Sequence, residues 1–170
     1  ISVICTNFAP EVIWQQEEGI YIKLSQPFNI GQGMCGPTVM AFGSEQHKRE
    51  RLPKLASGEE IWCQLFSEPA GGSDLAGLRT RAERDGDDWI LNGTKMWITN
   101  GGDADIAIIW ARGDAEDGGP GPIHGFIVPT DTPGFTANDI HKRVSLRASI
   151  TSELVLEDVR LPDSARLPGV

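Results

Sequence analysis

With 170 residues and 39% apolar side chains, the chain can bury the core of one domain, or of one domain and part of another. A net charge of −9 argues against nucleic acid, whose binding is driven by clustered Lys and Arg, and no apolar run approaches the ~18 residues of a membrane span. Cys5, Cys35 and Cys63 are odd in number and lack Cys-x-x-Cys spacing, so neither a disulfide framework nor a zinc site is expected, and a reducing setting fits.

Ile1 stands where an initiator Met would, and no basic segment with a cleavage site precedes the fold, so the chain reads as an excerpt of a longer polypeptide. Residues 1–60 read as helical or irregular and 61–162 as β; residues 11–30 carry no usable pattern. Gly36-Pro37 precedes an apolar helical stretch, Thr38–Phe42, which Gly43 ends. Ser44 is an N-cap, with Glu45 in the first turn of a helix running to about Leu52, where Pro53 predicts a kink or restart.

Strands are expected at Leu78–Arg84, Trp89–Leu91 and Thr94–Thr99, with Asn92-Gly93 as a type I′ hairpin turn and Asp85-Gly86-Asp87 as another turn. Ile106–Ala111 and Gly125–Val128 are continuous apolar runs of the buried-strand type, and Glu153–Val159 alternates. Residues 118–122 form a Gly/Pro loop. Regular short strands between turns predict a small barrel or sandwich packed on helices from the first 60 residues, an α+β fold.

Two segments carry the chemistry. Trp62 to Asp74 runs from a strand-like piece through Ser67-Glu68-Pro69 into Gly71-Gly72-Ser73-Asp74, and Lys95-Met96-Trp97-Ile98-Thr99-Asn100 returns as a strand. By strand alternation Trp97 and Thr99 share a face. Paired glycines let backbone approach a ligand, Ser67, Ser73 and Thr99 supply neutral hydrogen-bonding groups, and Trp97 supplies a flat apolar wall. That mix suits a planar heteroaromatic cofactor better than a metal or a bare phosphate, and no metal site is expected. Asp74 reads as a local cap rather than a base. His47, His124 and His141 show no catalytic or metal spacing and read as packing or solvated residues. Arg79, Arg81, Arg143 and Arg147 concentrate locally, either on solvated strand faces or against phosphates. There is no internal repeat and no Gly-x-Gly-x-x-Gly.

These two segments resemble the flavin-contacting motifs of the acyl-CoA dehydrogenases, in which a Ser/Thr-Glu-Pro-x-x-Gly-Ser-Asp loop pairs with Lys-x-Trp-Ile-Ser/Thr-Asn. The likeness spans about residues 30–169. It implies the end of an N-terminal helical domain at 1–60 and a small antiparallel β-barrel middle domain at 61–170. A C-terminal helical bundle would lie beyond this chain. FAD would lie in a cleft between barrel and helices. Gln64, Leu65, Phe66 and Ser67 would line one edge of the ring, with the Ser67 N–H and hydroxyl at its pyrimidine end. Gly72 and Ser73 would meet the ribityl side, and Trp97, Ile98 and Thr99 would lie near N5. Glu68 would be structural.

For the acyl-CoA substrate the resemblance implies Ser73, Arg147, Ser149 and Thr151, with Arg147 equally placed for a structural ion pair. Val144 to Ser149 resembles the Ser-Leu-Arg-Ala-Ser stretch of glutaryl-CoA dehydrogenases. Residues 24–43 nevertheless hold no Arg for a distal carboxylate, and Lys23 is the nearest cation. The family's catalytic Glu would lie outside this chain, so no catalytic residue is expected here and the excerpt alone would be inactive. The whole protein would be a dimer or tetramer in a bacterial cytoplasm or mitochondrial matrix. It would desaturate an acyl-CoA and pass electrons to an electron-transfer flavoprotein. An acyl-CoA oxidase or nitroalkane-oxidase-like flavoenzyme is the second reading. A non-catalytic β-domain binding acyl-CoA or a partner is the third.

Overall fold

Gly36-Pro37 does open a helix: in the computed structural model, which describes residues 17, 26–114, 121–145 and 148–170, α1 spans Gly36–Phe42 with Pro37 in its first turn. A π-helical turn, Gly31–Cys35, feeds directly into it. Gly43 ends α1 in an extended conformation, φ −74°, so positive φ is not the reason for a glycine there. A Cβ at Gly43 would lie 2.5 Å from the Val39 carbonyl oxygen, and close approach is the reason instead.

Helix α2, Glu45–Ser57, starts at Ser44 as expected. Ser44 Oγ accepts from the His47 N–H at 3.1 Å while the Ser44 N–H donates to His47 Nδ1 at 3.3 Å, a reciprocal cap worth about 1 kcal/mol. An accepting Nδ1 leaves the ring proton on Nε2, which donates to the Ser164 carbonyl at 2.6 Å. His47 is therefore a buried packing residue that ties α2 to the end of the chain. The helix does not restart at Pro53, and α2 runs on to Gly58, whose φ of +74° closes it. Leu55, beyond the proline, is buried with Leu52 against the sheet, and that packing outweighs the lost backbone bond.

The strands are β1 (Trp62–Leu65), β2 (Arg81–Asp85), β3 (Asp88–Thr99), β4 (Ile106–Arg112), β5 (Ile123–Pro129), β6 (Phe135–Asp139) and β7 (Thr151–Pro162). They form one curled sheet in the order β1-β4-β2-β3-β7-β6, with β5 also paired to β4. An antiparallel barrel was expected, but β1 and β2 both run parallel to β4, and β6 pairs only with β7 among the described strands. The sheet is a mixed half-barrel. The apolar run at Ile106 is explained by burial of both faces. Ala107, Ile109 and Ala111 fill the inside of the curl with Leu65, Leu91, Phe126 and Leu154, while Ile106, Ile108 and Trp110 pack outward against Cys35, Val39 and Leu55.

Asn92-Gly93 is not a turn. The hairpin between β2 and β3 turns at Asp85–Asp88, where Gly86 takes φ +64°, and β3 continues straight through Asn92 and Gly93. A register shift against β7 falls there instead: the Asn92 amide donates to Asp158 Oδ1 at 3.0 Å and its oxygen accepts from the Asp158 N–H at 2.9 Å. Strand β2 begins at Arg81 rather than Leu78, and β6, which no sequence pattern marked, lies on the edge. Most of residues 118–122 and all of 11–16 lie outside the described residues.

Candidate functional site

The second register shift in β3 builds the site. Between Lys95 and Ile98 the pairing with β7 is interrupted, so Met96 and Trp97 bulge, and Trp97 takes φ +64°. Simple alternation would put Lys95, Trp97 and Thr99 on one face. The bulge inverts this: the Lys95 side chain is fully buried while Trp97 is 60% exposed. A non-glycine residue at positive φ is locally strained, and here the strain aims an indole outward.

That indole borders a cleft of about 200 Å³ lined by Ile30, Met34, Gln64, Phe66, Ser67, Trp97, Ile98 and Thr99. Gln64 reaches it from the outward face of β1, shared with Trp62, and Phe66 from just past the end of that strand, its ring stacked on Trp110 at 5.1 Å. Gln64 Oε1 is buried and finds no hydrogen-bond partner among the described residues. Thr99 also lines a second hollow, of about 260 Å³, with Asn29, Ile30, Asn100 and Ser149. Asn100, at φ +64° and buried, joins the two halves: its amide donates to the Pro27 carbonyl at 2.7 Å and its N–H to the Ile150 carbonyl at 3.0 Å.

Beneath the cleft sits an ion pair. Lys95 Nζ lies 3.0 Å from Glu68 Oε1 and 3.3 Å from the Phe66 carbonyl oxygen. Glu68 also accepts from the Thr80 N–H at 2.9 Å, the Thr80 hydroxyl at 2.6 Å and the Arg79 N–H at 2.8 Å. Burial opposes the Glu68 charge, but these donors outweigh it and hold the carboxyl below the usual range. Burial likewise pushes the Lys95 ammonium down, against the pull of Glu68. Removing one partner of such a pair costs about 3–5 kcal/mol, because the other is left buried and uncompensated. Glu68 is thus a structural residue, fully engaged, as the sequence reading has it.

Among the expected site residues, the fold brings together Gln64, Phe66, Ser67, Trp97, Ile98 and Thr99. Leu65 turns the other way, into the interior of the curl. Gly72 lies beside Ser67, since a Cβ there would come 3.2 Å from Ser67 Oγ, but it faces a neighbouring hollow with Gly71, Asp74 and Arg79. Ser73 is exposed in that loop, and Asp74 caps the following turn by accepting from the Gly77 N–H at 3.0 Å. Ser149 borders the second hollow, whereas the Thr151 hydroxyl accepts from Arg143 at 2.7 Å. Arg147 lies outside the described residues. Ile30 and Met34, which sequence reasoning missed, stand on either side of Gly31 around the π turn. The glycines at 31, 33 and 36 were the one available signal of irregular helix.

Residues 63–159 match the family model described as acyl-CoA dehydrogenase, middle domain. The chain belongs to the acyl-CoA dehydrogenase family. Among solved structures of that family, two of glutaryl-CoA dehydrogenase from Mycobacterium smegmatis are similar. One, in complex with FADH2, is 57% identical with a TM-score of 0.77; the other is 59% identical with a TM-score of 0.78. Each match covers 83% of this chain and 35% of the other. A prolyl acyl carrier protein oxidase structure is 36% identical with a TM-score of 0.76, over 83% of this chain and 38% of that one. The long-chain specific acyl-CoA dehydrogenase of pig mitochondria is 37% identical over 94% of this chain and 37% of its own length. The chain therefore spans little more than a third of the length of these relatives. Among the described residues no helix is long and apolar enough to cross a membrane, and no cluster of metal-binding side chains occurs.

Proposed function

We propose that this chain supplies the cofactor-facing wall of an FAD-dependent acyl-CoA dehydrogenase, residues 1–60 closing a helical domain and 61–170 forming the β middle domain. The outward indole of Trp97 over a cleft edged by neutral hydrogen-bonding groups carries the reading. The residues present fit a flavin ring. Gln64 offers an unpartnered buried polar atom, Ser67 and Thr99 offer hydroxyls, and every residue lining the cleft is uncharged.

A bound FAD would supply the hydride acceptor that desaturation of an acyl-CoA needs. The residues here bind and orient. Trp97 and Phe66 give an apolar, water-poor surface on which hydrogen bonds gain strength. Ser67 and Thr99 would place donors along the ring edge, with Gln64 and Ile98 completing that wall and Leu65 packed into the core behind it. Gly72 and Ser73 flank the ribityl side, and the acyl-CoA would pass near Ser73, Arg147, Ser149 and Thr151. The base that takes the α-proton, a Glu in this family's pattern, would lie outside this chain. The whole protein would act as a homo-oligomer, in a bacterial cytoplasm or the mitochondrial matrix, and pass its electrons to an electron-transfer flavoprotein.

The visible spectrum of the full-length protein titrated anaerobically with glutaryl-CoA and with straight and branched monocarboxylic acyl-CoAs tests this. A yellow protein bleached by one class of acyl-CoA is expected. A colourless protein that no flavin restores would refute it and favour a non-catalytic binding domain. Glutaryl-CoA belongs in the panel because of the 57% and 59% identical structures, although residues 24–43 hold no Arg for its distal carboxylate. The oxidase at 36% identity supports the second reading. Slow reoxidation of the substrate-reduced protein by oxygen is expected for a dehydrogenase, and fast reoxidation would favour the oxidase.

A further inference from the structure

The peptide joining Phe66 to Ser67 has a buried cation on one side and the cleft on the other. Its carbonyl oxygen accepts from Lys95 Nζ at 3.3 Å, and the Lys95 side chain has no exposed surface. In a planar trans peptide the C=O and N–H point in opposite directions. With the oxygen turned inward to the ammonium, the Ser67 N–H points outward, on the side where Ser67 borders the cleft. No group among the described residues accepts from that N–H. The next carbonyl is also held, since Ser67 O accepts from the Met96 N–H at 2.9 Å, so the orientation of this backbone is set at two successive peptides.

We propose that Lys95 is a positioning residue that works through this peptide: its ammonium draws on the Phe66 oxygen and makes the Ser67 N–H a stronger donor toward negative charge at the pyrimidine end of a bound flavin. Hydride arrival adds two electrons and one proton, which leaves one negative charge near N1 and O2. A stronger donor there favours the reduced cofactor over the oxidised one. Two physical facts support the relay. Hydrogen-bonded peptide groups polarise one another, strengthening each bond by about 10–30%. The ammonium also reaches the Phe66 oxygen directly, at 3.3 Å, so that peptide lies within hydrogen-bond range of the cation even with Glu68 beside it. The proposal rests on the reading of the cleft as a flavin site.

Two variants change the charge without altering a residue that lines the cleft. Glu68→Gln removes the counter-charge, and at the low end of the working pH range, where Lys95 holds its proton against burial, it keeps the ammonium. The double variant Lys95→Met/Glu68→Gln removes both charges and leaves no unpaired buried ion. In the full-length protein, dissociation constants for oxidised and reduced FAD and the potential of the bound flavin give the readout. Glu68→Gln should bind reduced FAD more tightly, relative to oxidised, than the unaltered protein does. The double variant should lose that preference by about tenfold against the single, which is about 30 mV for a two-electron couple. A merely structural pair would loosen both redox forms alike. Ratios that stay together across all three proteins overturn the proposal. Should Glu68→Gln, which leaves the ammonium without its counter-charge, not fold, the double variant decides alone: a preference for reduced over oxidised FAD no lower than that of the unaltered protein overturns it. An unaltered protein that binds no flavin overturns it together with the reading beneath it, whereas a flavin-bound protein with unmoved ratios overturns the relay alone.

Discussion

Trp97 stands in a backbone conformation its side chain opposes, and it gives its bulk to the cleft instead of to the core. A left-handed conformation costs a non-glycine residue about 1–2 kcal/mol, and glycine avoids that cost while adding about 0.5–1 kcal/mol of chain entropy. Trp97→Gly should therefore leave the melting temperature unchanged or raise stability by up to about 1.5 kcal/mol, while weakening FAD binding tenfold or more. Thermal unfolding and a flavin titration check the two halves. A loss of stability of several kcal/mol would mean that the indole is part of the core. The importance of Trp97 was legible from its neighbours Ile98, Thr99 and Asn100. Its direction was not, because alternation assumes an uninterrupted ladder and the bulge between Lys95 and Ile98 breaks it. Lys95 escaped attention for the same reason: a lysine in a polar-looking strand reads as solvated, and only the inverted face buries it against Glu68.

Strand β3 shows how a strong local signal loses to its context. Asn92-Gly93 is the favoured hairpin dipeptide, yet β7 runs beside the whole of β3 and its partners hold the chain extended there. The glycine is needed because its φ of +155° is one that side chains rarely adopt and because Thr80 crosses close by. A Cβ at Gly93 would lie 2.7 Å from Thr80 Oγ1 and 2.8 Å from Thr80 Cα, and that hydroxyl is committed to Glu68. Gly93→Ala should destabilise the protein by about 1–3 kcal/mol through overpacking, measured by urea unfolding. It should weaken flavin binding as well, by disturbing the Glu68 network under the cleft. A neutral result would refute the close approach. Helix α2 makes the same point in the opposite sense: Pro53 predicts a kink or restart, but burial of Leu55 two residues later keeps the helix going. Its start at Ser44 was legible, since a cap depends on residues only three positions apart.

At the scale of the molecule, the curl of the sheet makes two cores, one inside it and one against α1 and α2. Cys35 and Cys63 meet at the second boundary, where Cys35 Sγ lies 3.6 Å from the Cys63 carbonyl oxygen. Burial pushes the Cys35 thiol up to about 12, and raises that of Cys63 as well, with the neighbouring Cys35 adding to it. Thiolates are the reactive form, so neither should be alkylated at pH 8 in the folded protein. Both should react fully in denaturant, as mass spectrometry after iodoacetamide would read. Labelling of Cys35 under native conditions would show that the helices open from the sheet. A cysteine at the join of helix and sheet was not legible as such, because contacts across 28 positions leave no mark in a local pattern.

Taken by itself, the sequence determined the family, the β-rich class, the capped helix and the two segments that border the cleft, because each depends on short-range order along the chain. The tertiary structure alone decided that the sheet is mixed and open, that Asn92-Gly93 runs straight, that Leu65 faces inward and Trp97 outward, and that Lys95 lies beneath Phe66. Those outcomes depend on which strand lies beside which and where the ladder slips, and pairing partners distant in sequence set both.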